Sequence, residues 1–355
     1  MRTLDIAINL YLEYAQAEEI IHYYGLLAQY GLCQAAKESR QEELIRACRT
    51  ILERYPDQVR HPHYNFASYR MGGNARAWSM MTGLVQRDDK LLDNYARKTL
   101  NGCKGVDGLL CMPGMEEKGA IWIDTVTAVT PFMLFAGLVL DRKDYMDFAA
   151  EQCFGMYDVL LDEECGLLHQ CRGFLEDKDK CSQDHWSRGN GWGYLGLAEL
   201  VQYLPEDSVY RAGAEKRYLR LSKAILRYQT PKGLWRQEMT VPLSWEESSG
   251  SGLFVYGLGV GIRLGLLAGA EYQQAFERGF YGLLRHCIND DFSTERSCPG
   301  CLCPGTGEGK GTIQAYMEMI PEHNEHHSFG ALMLAMVEAS RNGIREVDWM
   351  TRREN

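Results

Sequence analysis

Polar and apolar positions alternate along this chain with helical spacing almost from its first residue. Ile20, Tyr23, Tyr24 and Leu27 mark one face, and Leu44, Cys48, Ile51, Leu52 and Tyr55 mark another that stops at Pro56. Further stripes run through Trp78 to Leu84, Phe132 to Leu140, Tyr145 to Leu161, Tyr218 to Tyr228 and Ala331 to Val337. Leu197, Leu200, Val201 and Leu204 stand at i, i+3, i+4 and i+7 and predict an amphipathic helix ended by Pro205. The strict alternation of a half-buried strand is almost absent. An all-α protein with short connections is expected, and with no low-complexity stretch to mark a boundary, one domain over residues 1–355.

A coarse repeat overlies the helices. Asp107-Gly108-Leu109-Leu110, Cys165-Gly166-Leu167-Leu168 and Lys232-Gly233-Leu234-Trp235 align, their glycines 58 and 67 residues apart. Each is followed by a Trp-centred polar cluster (Trp122-Ile123-Asp124, Trp186-Ser187-Arg188, Trp245-Glu246-Glu247) and then by a new helical stripe. A unit of that length holds two helices, and about six units fill the chain. Six helical hairpins closed into a toroid, an (α/α)6 barrel with the Trp clusters at one mouth, is the expected architecture. An open solenoid is the alternative, but solenoids repeat more tightly.

Composition narrows the function. The chain has 38 basic and 48 acidic residues, a formal net charge of −10, which disfavours nucleic acid and anionic membranes as partners. No stretch is long and apolar enough for a membrane span, and the first residues lack a secretory signal, so a cytoplasmic location is expected. Twelve cysteines scattered through such a chain read as reduced thiols. Cys298, Cys301 and Cys303 have spacing that suits zinc but no obvious fourth ligand, with His286, Cys287 or the His323/His326/His327 group as conceivable partners; no metal is assigned to them.

The densest chemistry lies in Asp184-His185-Trp186-Ser187-Arg188-Gly189-Asn190-Gly191-Trp192, where two indoles, a guanidinium, an imidazole, a carboxylate and an amide crowd into nine residues. This reads as a loop at a helix N-terminus, its glycines allowing sharp turns. Indole faces stack on sugar C–H groups while an Arg fork and an amide bond hydroxyls or a carboxylate, so the equipment suits a sugar. The bland alternative is a Trp-rich helix start packed against a neighbour. Asp124, flanked by Trp122, Ile123 and Val126, is a candidate general acid because partial burial raises a carboxyl pKa; the alternative for it is a helix N-cap. Glu246 and Glu247 are explained by capping as well as by catalysis. His169 and His185 could each bond a sugar hydroxyl or be ordinary half-buried histidines. No phosphate-binding or dinucleotide-binding glycine loop is present.

Taken together, Trp122-Ile-Asp-Thr125 with Pro131-Phe132, Gly166-Leu-Leu-His169, Trp186-Ser-Arg-Gly-Asn-Gly-Trp192, Glu247-Ser-Ser-Gly-Ser-Gly-Leu-Phe254, Cys303-Pro-Gly-Thr306-Gly and Ser328-Phe-Gly-Ala-Leu-Met-Leu-Ala335 resemble the unsaturated rhamnogalacturonyl hydrolases of glycoside hydrolase family 105. The related unsaturated glucuronyl hydrolases of family 88 stand behind them. The resemblance covers most of the chain from about residue 60 onward. It implies an (α/α)6 barrel that removes a terminal 4,5-unsaturated uronic acid from lyase-generated oligosaccharides, with no metal or organic cofactor. It implies Asp124 as the catalytic residue, and Asn74, Trp122, His169, His185, Trp186, Arg188, Asn190 and Trp192 as substrate-binding residues. One departure stands out: where the family places a second Asp, Met71-Gly-Gly-Asn74 offers an amide that cannot share a proton. The competing readings are another (α/α)6 enzyme such as a sugar epimerase, worked by histidines, and a noncatalytic sugar-binding barrel.

Overall fold

The computed structural model describes residues 1–17, 23–55, 66–303 and 309–353. Ile20, Pro56 and the Pro304 to Gly307 part of the cysteine motif lie outside the described residues. In chain order the helices are α1 (Thr3–Ala17), α2 (Tyr23–Ser39), α3 (Glu42–Glu53), α4 (Gly73–Met81), α5 (Asp89–Leu100), α6 (Asp124–Leu140), α7 (Lys143–Leu160), α8 (Ser187–Tyr203), α9 (Arg211–Arg227), α10 (Ser248–Arg263), α11 (Ala270–His286), α12 (Ile313–Glu318) and α13 (His326–Arg341).

Six of them form a closed inner ring. α2 packs on α4, α4 on α6, α6 on α8, α8 on α10, α10 on α13, and α13 returns to α2. Outside it, α1 lies on α13, α3 on α2, α5 and α7 on α6, α9 on α8, and α11 on α10. The expected (α/α)6 barrel is what the chain forms. Sequence sets which helix goes where. α9 buries only Ala214, Tyr218, Leu221, Ser222, Ala224 and Ile225, one stripe at helical spacing, and its other face is polar. α8 is buried without interruption from Ser187 to Val201, as a helix surrounded by others must be. Small residues let the inner helices touch: a Cβ at Gly252 of α10 would come within 2.8 Å of the Ala331 backbone of α13.

The repeat seen in the sequence is the connection between outer and inner helices. Gly108, Gly166 and Gly233 all have positive φ (78°, 79° and 87°), the left-handed turn that favours glycine. The chain then runs through two-residue ladders: β1 (Ile121–Trp122) pairs antiparallel with β2 (Cys171–Arg172), and β3 (Trp235–Arg236) with β4 (Glu246–Glu247). These ladders deliver the chain to the N-termini of α6 and α10. Pro131 does not break α6, which continues through it to Leu140.

Candidate active site

The starts of the inner helices carry the polar side chains, and those side chains touch one another. Asp124 is the first residue of α6; the N-cap position belongs to Ile123, which offers no side-chain cap bond, so the capping explanation for Asp124 does not hold. The residue is 9 % exposed, and Oδ2 has no hydrogen-bond partner among the described residues. Burial raises its pKa to about 7, against the opposing pull of the Arg188 guanidinium, its own backbone N–H and the Trp192 indole. The carboxyl is therefore poised to give or take a proton near neutrality.

Arg188, in the first turn of α8, is fully buried. Its Nη1 donates to Ser249 Oγ at 3.0 Å and to the Cys298 carbonyl at 2.8 Å, and lies 3.8 Å from Glu325 Oε2. The guanidinium sits 4.7 Å over the Trp186 ring, which stacks in turn on Tyr316. Burial penalises this charge, but Cys298, Glu325, Glu247 and Tyr23 outweigh the penalty and hold its pKa above the ordinary value. Nε has no hydrogen-bond partner among the described residues. Glu325, the N-cap of α13, accepts from Ser297 Oγ at 2.6 Å and lies 2.5 Å from His327 Nδ1; the other ring nitrogen is 2.5 Å from the Tyr23 hydroxyl, at the start of α2. Burial works against the Glu325 charge, yet His327, Arg188 and Ser297 bring its pKa down to about 2.

A small cavity of about 20 Å³, room for one water, is lined by Tyr23, Tyr69, Asn74, Thr127 and Trp192 among others. It joins α2, α4, α6 and α8 at the same mouth. The chain itself matches a known family over nearly its whole length: the model described as Glycosyl Hydrolase Family 88 covers residues 9–342. The chain belongs to that family. An unsaturated rhamnogalacturonyl hydrolase of Bacillus subtilis, YesR, is 26 % identical over 80 % of this chain and 81 % of its own length. An unsaturated 3S-rhamnoglycuronyl hydrolase of Formosa agariphila is 29 % identical, but the match spans 48 % of this chain and about half (47 %) of that relative. Among solved structures, a possible member of family 105 from Klebsiella pneumoniae superposes with TM-score 0.81 at 17 % identity, over 96 % of this chain and 93 % of that one. The unsaturated glucuronyl hydrolase of Bacillus sp. GL1 gives 0.68 at 16 %, over 97 % of each chain. The expected resemblance and fold are both borne out.

In this family 88 chain the other sequence-predicted residues divide into groups. Trp122 and Trp186 are buried beside the mouth, Trp122 packed between Phe66 and Phe174. The Trp186 indole N–H has no hydrogen-bond partner among the described residues, and the Trp192 indole is near the Asp124 carboxyl. Asn190 is otherwise engaged: its Oδ1 accepts from the Leu168 N–H at 2.8 Å, and Nδ2 donates to the Leu168 and Trp186 carbonyls, so its amide ties the chain rather than facing a sugar. His169 and His185 pair with each other, ring centroids 4.8 Å apart, and their polar neighbours are Asp162, Cys165 and Glu238. Burial lowers the His169 pKa; the same burial in His185 is overcome by Cys165 and Glu238, which hold it up to about 10.

Two sequence expectations are corrected. The Asp184 to Trp192 stretch is not all loop, because helix α8 already begins at Ser187. Gly189 and Gly191 are there for contact, not turning: added Cβ atoms would stand 2.9 Å from the Trp186 ring and 2.7 Å from Leu253. Glu247 is the N-cap of α10, accepting from the Ser249 and Gly250 N–H groups, from Ser187 Oγ and from the Cys298 N–H. Capping therefore accounts for it fully. Two of the three clustered cysteines have separate partners, Cys298 Sγ meeting Gln237 and the Gly300 carbonyl and Cys303 meeting Cys171, while Cys301 is near enough to Asp124 and Arg188 to feel both charges. Of the histidines near the end, only His327 joins the site; His323 pairs with Glu295 and His326 stacks on Tyr24. Tyr23, Tyr69, Ser249 and Glu325 were not singled out from the sequence, because aromatic residues in an apolar stripe and a helix cap carry no signature of their own.

Proposed function

We propose that this chain is a hydrolase that removes a terminal 4,5-unsaturated uronic acid from lyase-generated oligosaccharides, those derived from rhamnogalacturonan and pectin in particular, by hydrating the enol-ether double bond. One observation carries the reading: Asp124 Oδ2, Arg188 Nε and Trp186 Nε1 are buried at one mouth with no hydrogen-bond partner among the described residues, and the Trp192 indole N–H is close enough to the Asp124 carboxyl to lower its pKa without otherwise being engaged. Buried polar groups are normally satisfied, so a set of donors around one carboxyl calls for an acidic, hydroxylated ligand. The N-termini of α6 and α8 add partial positive charge at the same place.

The mechanism follows from the poise of Asp124. In its protonated form it gives a proton to C4 of the enol ether, and positive charge develops at C5 beside the carboxylate just formed. That carboxylate takes a proton from water as the water oxygen bonds to C5, which returns Asp124 to its starting form. The resulting hemiketal opens and expels the neighbouring sugar. Arg188 supplies a fixed cation for the uronate carboxylate, and the indoles supply flat faces and N–H donors. One proton carrier suffices in this cycle, so the amide at Asn74 is compatible with turnover. The chemistry itself calls for no metal or organic cofactor.

All twelve cysteines are free thiols, which supports a reducing, cytoplasmic setting. The test is a panel of unsaturated disaccharides with different linked sugars. Loss of enol-ether ultraviolet absorbance with one-to-one release of the linked sugar supports the proposal and names the sugar. An epimer formed without release points to the epimerase alternative, and binding without turnover across the panel to a noncatalytic barrel.

A further inference from the structure

The hairpin between α7 and α8 holds a cluster that the proposed hydrolysis does not use. Leu161 and Leu168 form a bridge, the Asp162 N–H bonds the Leu167 carbonyl, the Gly166 N–H bonds the Asp162 carbonyl, and Gly166 makes the turn. An Asp-x-x-Cys-x-x-x-His run folded in this way brings Asp162, Cys165 and His169 to one side. His185 reaches them from the segment just before α8. One ligand-capable atom from each of Asp162, His169 and His185 lies within 4.8 Å of the others. The Cys165 thiol lies outside that group of three but near enough to influence both the Asp162 carboxylate and the His185 ring.

We propose that Asp162, Cys165, His169 and His185 form a binding site for one divalent metal ion of zinc type, which staples the α7–α8 hairpin to the entry of α8. Two nitrogens, a thiolate and a carboxylate are a tetrahedral zinc set, and such ligands sit about 3.3–3.8 Å apart around the ion, so small side-chain rotations close the site. The orientation of His185 points the same way. Its Nε2 faces Asp162 at 2.9 Å, while Nδ1 lies 3.6 Å from Glu238 Oε1, the carboxylate–histidine–metal arrangement in which an outer carboxylate fixes the ring. The Glu238 carboxylate is itself held by the His185 N–H at 2.8 Å and the Thr240 hydroxyl at 2.9 Å.

Two further facts favour a cation. His169 Nδ1 is buried and makes no hydrogen bond among the described residues. Three carboxylates, Asp162, Asp184 and Glu238, surround the His169 and His185 rings, the last two carboxylates fully buried. The nearby arginines are engaged away from the proposed ligand atoms: Arg227 bonds the backbone carbonyl of Cys165 and Arg220 pairs with Glu163. Buried carboxylates in excess of bases are stabilised by a bound ion.

The proposal does not rest on the hydrolase reading, because metal binding is measured without substrate. Full-length chain stripped of metal is titrated with zinc chloride by calorimetry, and with cobalt chloride in the spectrophotometer. One equivalent of each ion is expected to bind, and the cobalt form is expected to show a thiolate-to-metal charge-transfer band. Cys165→Ser removes that band, and His169→Gln weakens zinc by at least about tenfold. Both positions are partly exposed, and circular dichroism checks that both variants keep the wild-type fold. Absence of a stoichiometric site overturns the proposal. So does zinc uptake that both variants leave unchanged, which would place the ion on other thiols and leave His185 as an imidazolium bridging Asp162 and Glu238.

Discussion

Replacing Asp124 with Asn separates its chemistry from its place in the fold. The folded carboxyl titrates at about 7 against an ordinary value of 3.8, and burial is the main cause. As pH rises, the unfolded chain loses this proton first, so the folded state binds more protons between those two values. Stability contributed by the neutral form is complete below about pH 4 and is lost as pH climbs to about 7. A shift of roughly 3 units corresponds to ~4 kcal/mol of strain at pH 8 and only ~2 kcal/mol at pH 5. Asn copies the neutral carboxyl and never ionises. The variant should therefore be more stable than the wild type by about those amounts, with the larger gain at pH 8, while turnover falls by about 10² or more. Urea unfolding at both pH values and a rate assay on the same preparations measure all three quantities. A gain equal at the two pH values would refute the burial-driven shift, and near-normal turnover would eliminate Asp124 as the proton carrier.

Three other outcomes follow from the same geometry. Arg188→Lys keeps the charge but not the fork, and is expected to lose tenfold or more in kcat/KM, roughly 1.4 kcal/mol, with folding retained by circular dichroism; full activity would make Arg188 structural. Glu325 titrates at about 2 in the fold against 4.5. Its contribution is present above about pH 4.5 and is lost as pH falls towards 2, so Glu325→Gln should cost ~3 kcal/mol at pH 7, with the gap closing in acid unfolding curves; a pH-independent difference would contradict the ion-pair account. Prolonged chelation should leave kcat unchanged, because Asp124 and water perform the chemistry; loss of kcat restored by zinc would overturn that.

How far the sequence could be read depended on whether a position had a single physical meaning. Gly108, Gly166 and Gly233 each precede Leu and each needs a left-handed turn, so they exposed the hairpin repeat and with it the barrel. Asp124 was legible because a charge inside an apolar run has few ordinary explanations, and Arg188 because it stands with two indoles, an imidazole and an amide in nine residues. The α8 boundary was misread because Gly189 and Gly191 resemble turn residues, whereas tertiary contact with Trp186 and Leu253 is what requires them. Asn190 looked like a sugar ligand since nothing in a sequence shows that its amide is consumed by the Leu168 backbone. Tyr23 was hidden in the stripe of α2. Its link to His327 spans 304 residues and exists only once the ring closes.

The order of events in a single turnover tests the central claim most directly. Enzyme in excess over an unsaturated disaccharide is mixed rapidly, with enol-ether absorbance and free linked sugar followed in parallel. Hydration at C4 and C5 precedes expulsion of the neighbour, so absorbance should decay ahead of sugar release or together with it. Release of the sugar while the absorbance persists would mean attack at the anomeric carbon, and would contradict the assignment of Asp124 to the double bond.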